Sequence, residues 1–291
     1  MLKKNRILIV GSNGFIGRHL LTKLGADVGE VEIGLLLNDK KEKINDGKYL
    51  RYYFDGGYES IKNAIDQFEP HVIINLATKY IRCVDHHNFD DIVVSNLKLP
   101  FYIASICKNK PVKVLIFGTI WQDQKISSVY VATKEMQQKI METLIDKDSK
   151  VTITQLILGD TYGFADYRNK LVEQLIVASI EGKEIALTSG HQPLNLLHVD
   201  EIVDAILISL EIKNCKFNTF SVLADNEFIL KDLIKMLNSK TDNKLKVNFG
   251  DVPYRDGEVM HLESDHKRLP NWRPRYNVVD KITEIYEVRS N

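Results

Sequence analysis

Long apolar runs are missing from this 291-residue chain, and with them any stretch of the ~20 residues that a membrane-spanning helix needs. Cysteine is scarce. Cys83, Cys107 and Cys215 lie far apart, in a spacing that suits neither a disulfide framework nor a zinc site, so buried thiols in a reducing cytosol are expected. Neither sign of charge is in excess: 39 basic residues balance 39 acidic ones, and no basic stripe or helix-turn-helix points to nucleic acid or an anionic membrane. Lys3, Lys4 and Arg6 precede only Ile7 to Val10 before glycines begin, too short a run for the apolar core of a secretory signal. His86, His87 and His191 are not spaced with other ligands, so no metal is expected. Repeats and low-complexity tracts are absent too. These absences leave a soluble, cytoplasmic globular protein.

Through the first half, β-like and helix-like segments alternate, the pattern of a parallel sheet covered on both faces. Strands are expected at Arg6–Val10, Glu30–Leu37, His71–Leu76, Lys113–Phe117 and Val151–Ile157, with helices near Gly14–Leu24, Glu59–Phe68, Phe89–Lys108 and Ser127–Ile145. Beyond Gly163 the alternation loosens, with helices at Lys170–Ile180, Asp200–Leu210 and Leu230–Leu237, and Pro253, Pro270 and Pro274 punctuate the end. The reading is an α/β protein: a Rossmann-type doubly wound parallel sheet over 1–163, partly completed by later segments, and a smaller C-terminal lobe over 164–291 that mainly binds substrate.

One junction is more informative than any other. Gly11-Ser12-Asn13-Gly14-Phe15-Ile16-Gly17 follows the first strand at once and opens a helix. Gly11 allows a tight turn, Gly14 lets backbone approach a phosphate, and Gly17 lets the helix sit close to the strand. Helix N-termini favour anions, so a dinucleotide diphosphate is the expected ligand. Asn38 and Asp39 after strand two, Ala77 and Thr78 after strand three, Gly118 and Thr119 after strand four, and Asp160 to Gly163 after strand five would share its edge.

Tyr130 and Lys134, four apart, put a phenol and an ammonium on one helix face, where nearby positive charge favours phenolate. Tyr58 and Lys62 have the same spacing, but their place at an early helix start suggests a solvated pair. Thr119 is either a hydroxyl for a substrate carbonyl or a strand-end cap.

With these motifs the chain resembles the extended short-chain dehydrogenase/reductases of the nucleotide-sugar epimerase/dehydratase type. The matching stretches are Gly11–Gly17, Asp55, Asn75-Leu76-Ala77, Asn96, Thr119, Tyr130/Lys134, Asp160-Thr161-Tyr162-Gly163 and Leu197-His198-Val199-Asp200. Within that family it is most similar to the short 4-ketoreductases of deoxysugar synthesis, the CDP-abequose and CDP-paratose synthase group, through Asn75–Thr78, Thr188–Gln192 and Pro253–Glu258. The resemblance implies a catalytic triad of Thr119, Tyr130 and Lys134. It implies a cofactor set of Gly11, Asn13, Gly14, Phe15, Ile16, Gly17, Asn38, Lys40, Asp55, Leu76, Ala77, Thr78 and Asn96, joined by Tyr130 and Lys134. Asp55 would take the adenine amine or simply make the turn before Gly56-Gly57; Asn96 would support the tyrosine or a water, or be an internal hydrogen-bonding residue. The substrate set is Lys79, Thr119, Trp121, Asp160, Lys170 and Arg255. A homodimer through the helix of Tyr130 is implied as well, although Val129, Met136, Ile140 and Leu144 also suit a core.

Departures narrow the chemistry. Only ten residues separate Thr119 from Tyr130, where epimerases and dehydratases carry a longer loop, and Ile120 and Trp121 replace the acid and base that a dehydratase needs. Leu194 stands where relatives often place an arginine for the diphosphate, and Asp160 where asparagine is usual; Lys170 and Arg255 are the substitutes, unless they are solvated surface charges. Asn38-Asp39-Lys40-Lys41 mixes both signs at the end of strand two, with NADPH preferred over NAD if Lys40 or Lys41 meets a 2′-phosphate. The expected activity is NADPH-dependent reduction of the C4 keto group of a nucleotide-linked deoxysugar for O-antigen or other polysaccharide synthesis. The alternatives are an NAD-dependent nucleotide-sugar 4-epimerase and a non-catalytic dinucleotide-binding regulator.

Overall fold

Apolar strands that alternate their side chains between two covered faces build the centre of the molecule. The structure is a computed structural model describing residues 5–26, 31–38, 48–81, 83–124, 128–212, 215–242, 244–254 and 258–290. In the first part come β1 (Asn5–Val10), α1 (Phe15–Ala26), β2 (Val31–Leu37), β3 (Leu50–Tyr53), α2 (Tyr58–Phe68), β4 (Val72–Asn75), α3 (Phe89–Val93), α4 (Leu99–Cys107), β5 (Lys113–Thr119), α5 (Val129–Leu144) and β6 (Thr152–Leu158). These are followed by β7 (Asp160–Tyr162), α6 (Leu171–Glu181), β8 (Glu184–Leu187), β9 (Pro193–Leu194), β10 (Leu196–His198), α7 (Val199–Glu211), β11 (Phe217–Val222), β12 (Phe228–Ile229), α8 (Leu230–Lys240), β13 (Lys246–Phe249) and α9 (Val278–Ser290).

Seven strands form one parallel sheet in the order β11-β6-β5-β4-β1-β2-β3. Ile7 and Ile9 face the α1/α7 layer while Leu8 and Val10 face α2, α4 and α5, so each face has its own buried cluster. A third cluster is built mainly from α6, α8, α9 and β10. Order reverses between β1 and β4. Their carboxyl ends, Val10–Gly11 and Asn75–Ala77, therefore flank the crevice where open α/β sheets bind ligands.

The expected α/β, Rossmann-type sheet is present, with two strands beyond the five read from the sequence. β3 is four residues at one edge, Leu50 exposed and the other three half-buried, too short to show a period. β11, Phe-Asn-Thr-Phe-Ser-Val, is a half-buried edge whose polar residues mask its strand character. The helix expected over 89–108 is interrupted by a π turn at Val94–Lys98, closed by Leu99 N–H on Val94 O. Pro100 lacks the amide that would bond Asn96 O in an α-helix, and the ladder slips by one residue. Of the three thiols only Cys107 is buried; Cys83 and Cys215 are exposed, which corrects the expectation of buried thiols. Val129 and Met136 are exposed on α5, whereas Ile140 and Leu144 pack on the core. Among the described residues no helix is long and apolar enough to cross a membrane, and no cluster of His, Cys, Asp or Glu could hold a metal ion.

Candidate active site

The first turn of α1 leaves backbone N–H groups with no intrahelical acceptor. Ahead of it Gly11 has φ +82°, and Gly14 N–H donates to Gly11 O at 3.1 Å. A Cβ on Gly11 would stand 2.6 Å from Ala77 N, and one on Gly17 would collide with the backbone of Gly11 and Ser12. The turn is thus pressed between β4 and α1 with no room for a side chain. Ser12 Oγ and Asn75 Nδ2 lie buried beside it without a partner, although Asn75 Oδ1 accepts from Ala77 N at 3.3 Å. Free helix-start amides, a glycine cradle and two orphaned polar groups fit a dinucleotide diphosphate. Asn13 and Ile16 lie in this turn, Asn13 O accepting from Arg18 Nη1 at 2.7 Å and Ile16 leaning into the core. The Phe15 ring is buried beneath the Arg168 guanidinium, 4.1 Å from the ring centre, so only its backbone faces the cradle's function.

Asn38 is exposed just after β2, whereas Lys40, with Asp39 and Lys41, lies outside the described residues. Asp55 makes the turn: Oδ1 accepts from Gly57 N at 2.8 Å, and the Ser60 hydroxyl together with that amide holds its carboxyl below the usual range.

Lys134 is the centre of the arrangement. Its ammonium is wholly buried and donates to Thr78 Oγ1 and Phe117 O, both at 2.9 Å, tying α5 to the carboxyl ends of β4 and β5. Leu76 and Ala77 lead into Thr78 along the same edge. Thr119 ends β5, buried; its Oγ1 accepts from Trp121 N at 3.4 Å, so it is a cap to the 3₁₀ turn Ile120–Asp123. A hydroxyl that accepts from that amide retains its own proton for a substrate oxygen. Tyr130 sits one turn before Lys134, and its ring meets Tyr80 edge-on at 5.0 Å.

Electrostatics correct one expectation. Burial pushes the Tyr130 phenol well above the ordinary tyrosine range, with Tyr80 and Asp160 adding to the shift and Arg168 opposing it. Burial also lowers Lys134 to about 7. Desolvation is the largest cause of both shifts, and each favours the neutral form.

Asn96, in the π turn, is not open toward a ligand. Its Oδ1 accepts from Lys79 N at 2.8 Å and its Nδ2 donates to Lys79 O and Thr133 Oγ1, both at 3.0 Å, so it binds the β4 loop to α5. Lys79 itself reaches Asp91 at 3.3 Å. Of the residues expected to meet substrate, Lys170 Nζ lies 3.9 Å over the Tyr80 ring, Asp160 opens β7, and Trp121 is half-buried on the 3₁₀ turn; Arg255 lies outside the described residues. Reading the sequence missed Tyr80 and Arg168. Arg168 grips buried Asp166 through Nε at 2.7 Å and Nη2 at 2.6 Å, and donates to Thr161 O at 2.8 Å. Only the Asp-x-Arg spacing hinted at it.

Comparison with known proteins gives the same outline. The model of the NAD dependent epimerase/dehydratase family matches residues 7–220. A CDP-abequose synthase of Yersinia pseudotuberculosis is 29% identical over 297 aligned positions, 96% of this chain and 97% of that protein. A dTDP-4-dehydro-6-deoxyglucose reductase of Escherichia coli is 20% identical, covering 97% of each. Among solved structures, MoeE5 in complex with UDP-glucuronic acid and NAD superposes with a TM-score of 0.83 at 16% identity, over 99% of this chain and 100% of that one. The UDP-glucose 4-epimerase of Thermotoga maritima, with UDP-glucose, gives 0.81 at 16% identity, over 98% and 100%. Likeness at that identity is likeness of fold.

Proposed function

We propose, for a chain that belongs to the NAD dependent epimerase/dehydratase family, that it is a nucleotide-sugar oxidoreductase reducing the C4 keto group of a nucleotide-linked deoxysugar with NADPH. The observation that supports the reading is the buried Lys134 bridge to Thr78 and Phe117, which fastens the helix bearing Tyr130 to the carboxyl ends of β4 and of β5, the strand that Thr119 ends. The near-full-length relatives, a CDP-abequose synthase and a 4-keto-sugar reductase by name, support the reductive direction.

Bound NADPH would supply the hydride to C4. The Thr119 hydroxyl donates a hydrogen bond to the carbonyl oxygen, and Tyr130 transfers its phenolic proton to that oxygen as negative charge develops there, giving the alcohol. A phenol held protonated by burial is in the correct state for a reduction, and donors fixed before reaction lower the barrier most effectively. Lys134 would hold the nicotinamide ribose hydroxyls. Gly11, Gly14 and Gly17 would line the diphosphate, Asn38 and Lys40 the 2′-phosphate, and Asp55 the adenine amine. Lys170, Arg255, Asp160, Lys79 and Trp121 would line the nucleotide-sugar side, with residues 1–163 holding mainly cofactor and 164–291 mainly substrate. The face carrying exposed Phe101, Val129 and Met136 is where a homodimer would form.

A screen of NADPH oxidation against CDP-, dTDP-, UDP- and GDP-linked 4-keto-6-deoxysugars tests the reading. One NADPH consumed per sugar reduced is expected. An enzyme that purifies with NAD and interconverts C4 epimers with no added cofactor would instead be an epimerase.

A further inference from the structure

Thr119 and Tyr130 come from different elements, a strand end and a helix start, so their relative position needs a tie. Gln122 makes one. Its Oε1 accepts from Thr119 N at 3.1 Å, and its Nε2 donates to Gln138 Oε1 at 2.7 Å. Gln138 lies four residues after Lys134 and eight after Tyr130, on the same face of α5, and donates in turn to Glu142 Oε1 at 2.9 Å. One amide therefore joins the backbone of the hydroxyl residue to the helix that bears the phenol and the ammonium.

Gly118 provides an independent sign of this arrangement. A Cβ there would stand 2.5 Å from Gln122 Oε1, 2.5 Å from Ile157 Cδ1 and 2.9 Å from Gln155 Nε2. Its φ lies outside the left-handed region, so the glycine is not required by the backbone. What it provides is room, above the strand, for the Gln122 amide to fold back onto Thr119.

We infer that Gln122, acting through Gln138 and given space by Gly118, is a positioning residue that sets the Thr119 hydroxyl against Tyr130. The assignment rests on the catalytic reading above. Gln122 touches no reacting atom. Its effect is on the geometry in which hydrogen-bond donation by Thr119 and proton transfer from Tyr130 act on one oxygen, and small misplacements of such groups cost up to ~100-fold in rate.

The test is steady-state NADPH oxidation by wild type, Gln122→Ala, Gln122→Glu, Gly118→Ala and the Gly118→Ala/Gln122→Ala double variant, with cofactor affinity and melting temperature measured on each. Gln122→Ala is expected to lower kcat by about 10- to 100-fold, with KM for the sugar and Kd for NADPH within about twofold. Gln122→Glu keeps the acceptor for Thr119 N and is expected to recover part of the loss. Gly118→Ala meets side-chain ends rather than backbone, and is expected to lower kcat by displacing the same amide. The double variant is expected to be no slower than Gln122→Ala, because the two changes break one tie. If Gln122→Ala does not fold, Gln138→Ala cuts the tie from the helix side, and the same fall in kcat is expected. Active wild type beside a folded Gln122→Ala or Gln138→Ala within twofold in kcat overturns the positioning role alone, as do fully multiplicative losses in the double variant or losses that follow melting temperature. Wild type that binds NADPH but oxidises it with none of the sugars overturns the catalytic reading and this role with it.

Discussion

Two helices of this protein carry tyrosine and lysine four residues apart, and the structure treats the pairs in opposite ways. Tyr58 is exposed at the start of α2, its ring edge-on to Tyr102 at 5.5 Å, and Lys62 pairs with Asp66 at 2.5 Å in solvent, its ammonium favoured by that carboxylate. Tyr130 and Lys134 are desolvated, the lysine between Thr78 and Phe117 O, with both groups shifted toward their neutral forms. Spacing along a helix places two groups on one face. Only the sheet edge beneath that face buries the lysine and holds it in place.

The largest effect should separate the two tyrosines. Tyr130→Phe is expected to cut NADPH oxidation by roughly 10³-fold or more while leaving cofactor affinity within a few-fold, whereas Tyr58→Phe leaves both unchanged. Equal rates for the two variants would remove Tyr130 from the mechanism. Next comes the glycine cradle. Gly11→Ala demands a Cβ at φ +82° against the backbone of Ala77, and is expected to cost more than ~2 kcal/mol of stability and most of the NADPH affinity, read by denaturant unfolding and by titration.

The lysines should differ in their pH dependence. In the unfolded chain Lys134 keeps its proton to about 10.5, whereas in the fold it releases it near 7. Between those values the unfolded state binds more protons, so the stability of the cofactor-free protein rises with pH through this window, by up to a few kcal/mol. Lys134→Met is expected to flatten that rise; an identical pH profile in the variant would show that the ammonium is not desolvated. Smallest of all, Lys62→Met is expected to leave turnover unchanged and to move the melting temperature by no more than ~2 °C, since exposed pairs contribute little.

Much of this contrast was legible beforehand because it is written in short-range chemistry. The glycine turn, the Tyr130/Lys134 face and the apolar strands leading to them are each set by neighbouring residues, and the sheet edge follows from the βα alternation. What escaped notice depends on distant partners. Tyr80 matters through Tyr130 and Lys170, Arg168 through Phe15, and Gln122 through Gln138, partners that no local period betrays. Asn96 bonds the backbone of Lys79 and the hydroxyl of Thr133 from within the π turn, and Lys79 pairs with Asp91, partners too far along the chain for spacing to reveal. The direction of the Tyr130 shift was missed for a related reason: spacing reveals a neighbouring charge but not the depth of burial, and here burial wins.

The most direct measurement follows the hydride. With NADPH deuterated at the transferring position of the nicotinamide and a nucleotide-linked 4-keto-6-deoxysugar, mass spectrometry of the product should find one deuterium, at C4, in wild type, and no product with Tyr130→Phe. A product formed without deuterium, or one formed as fast by Tyr130→Phe, would contradict the account.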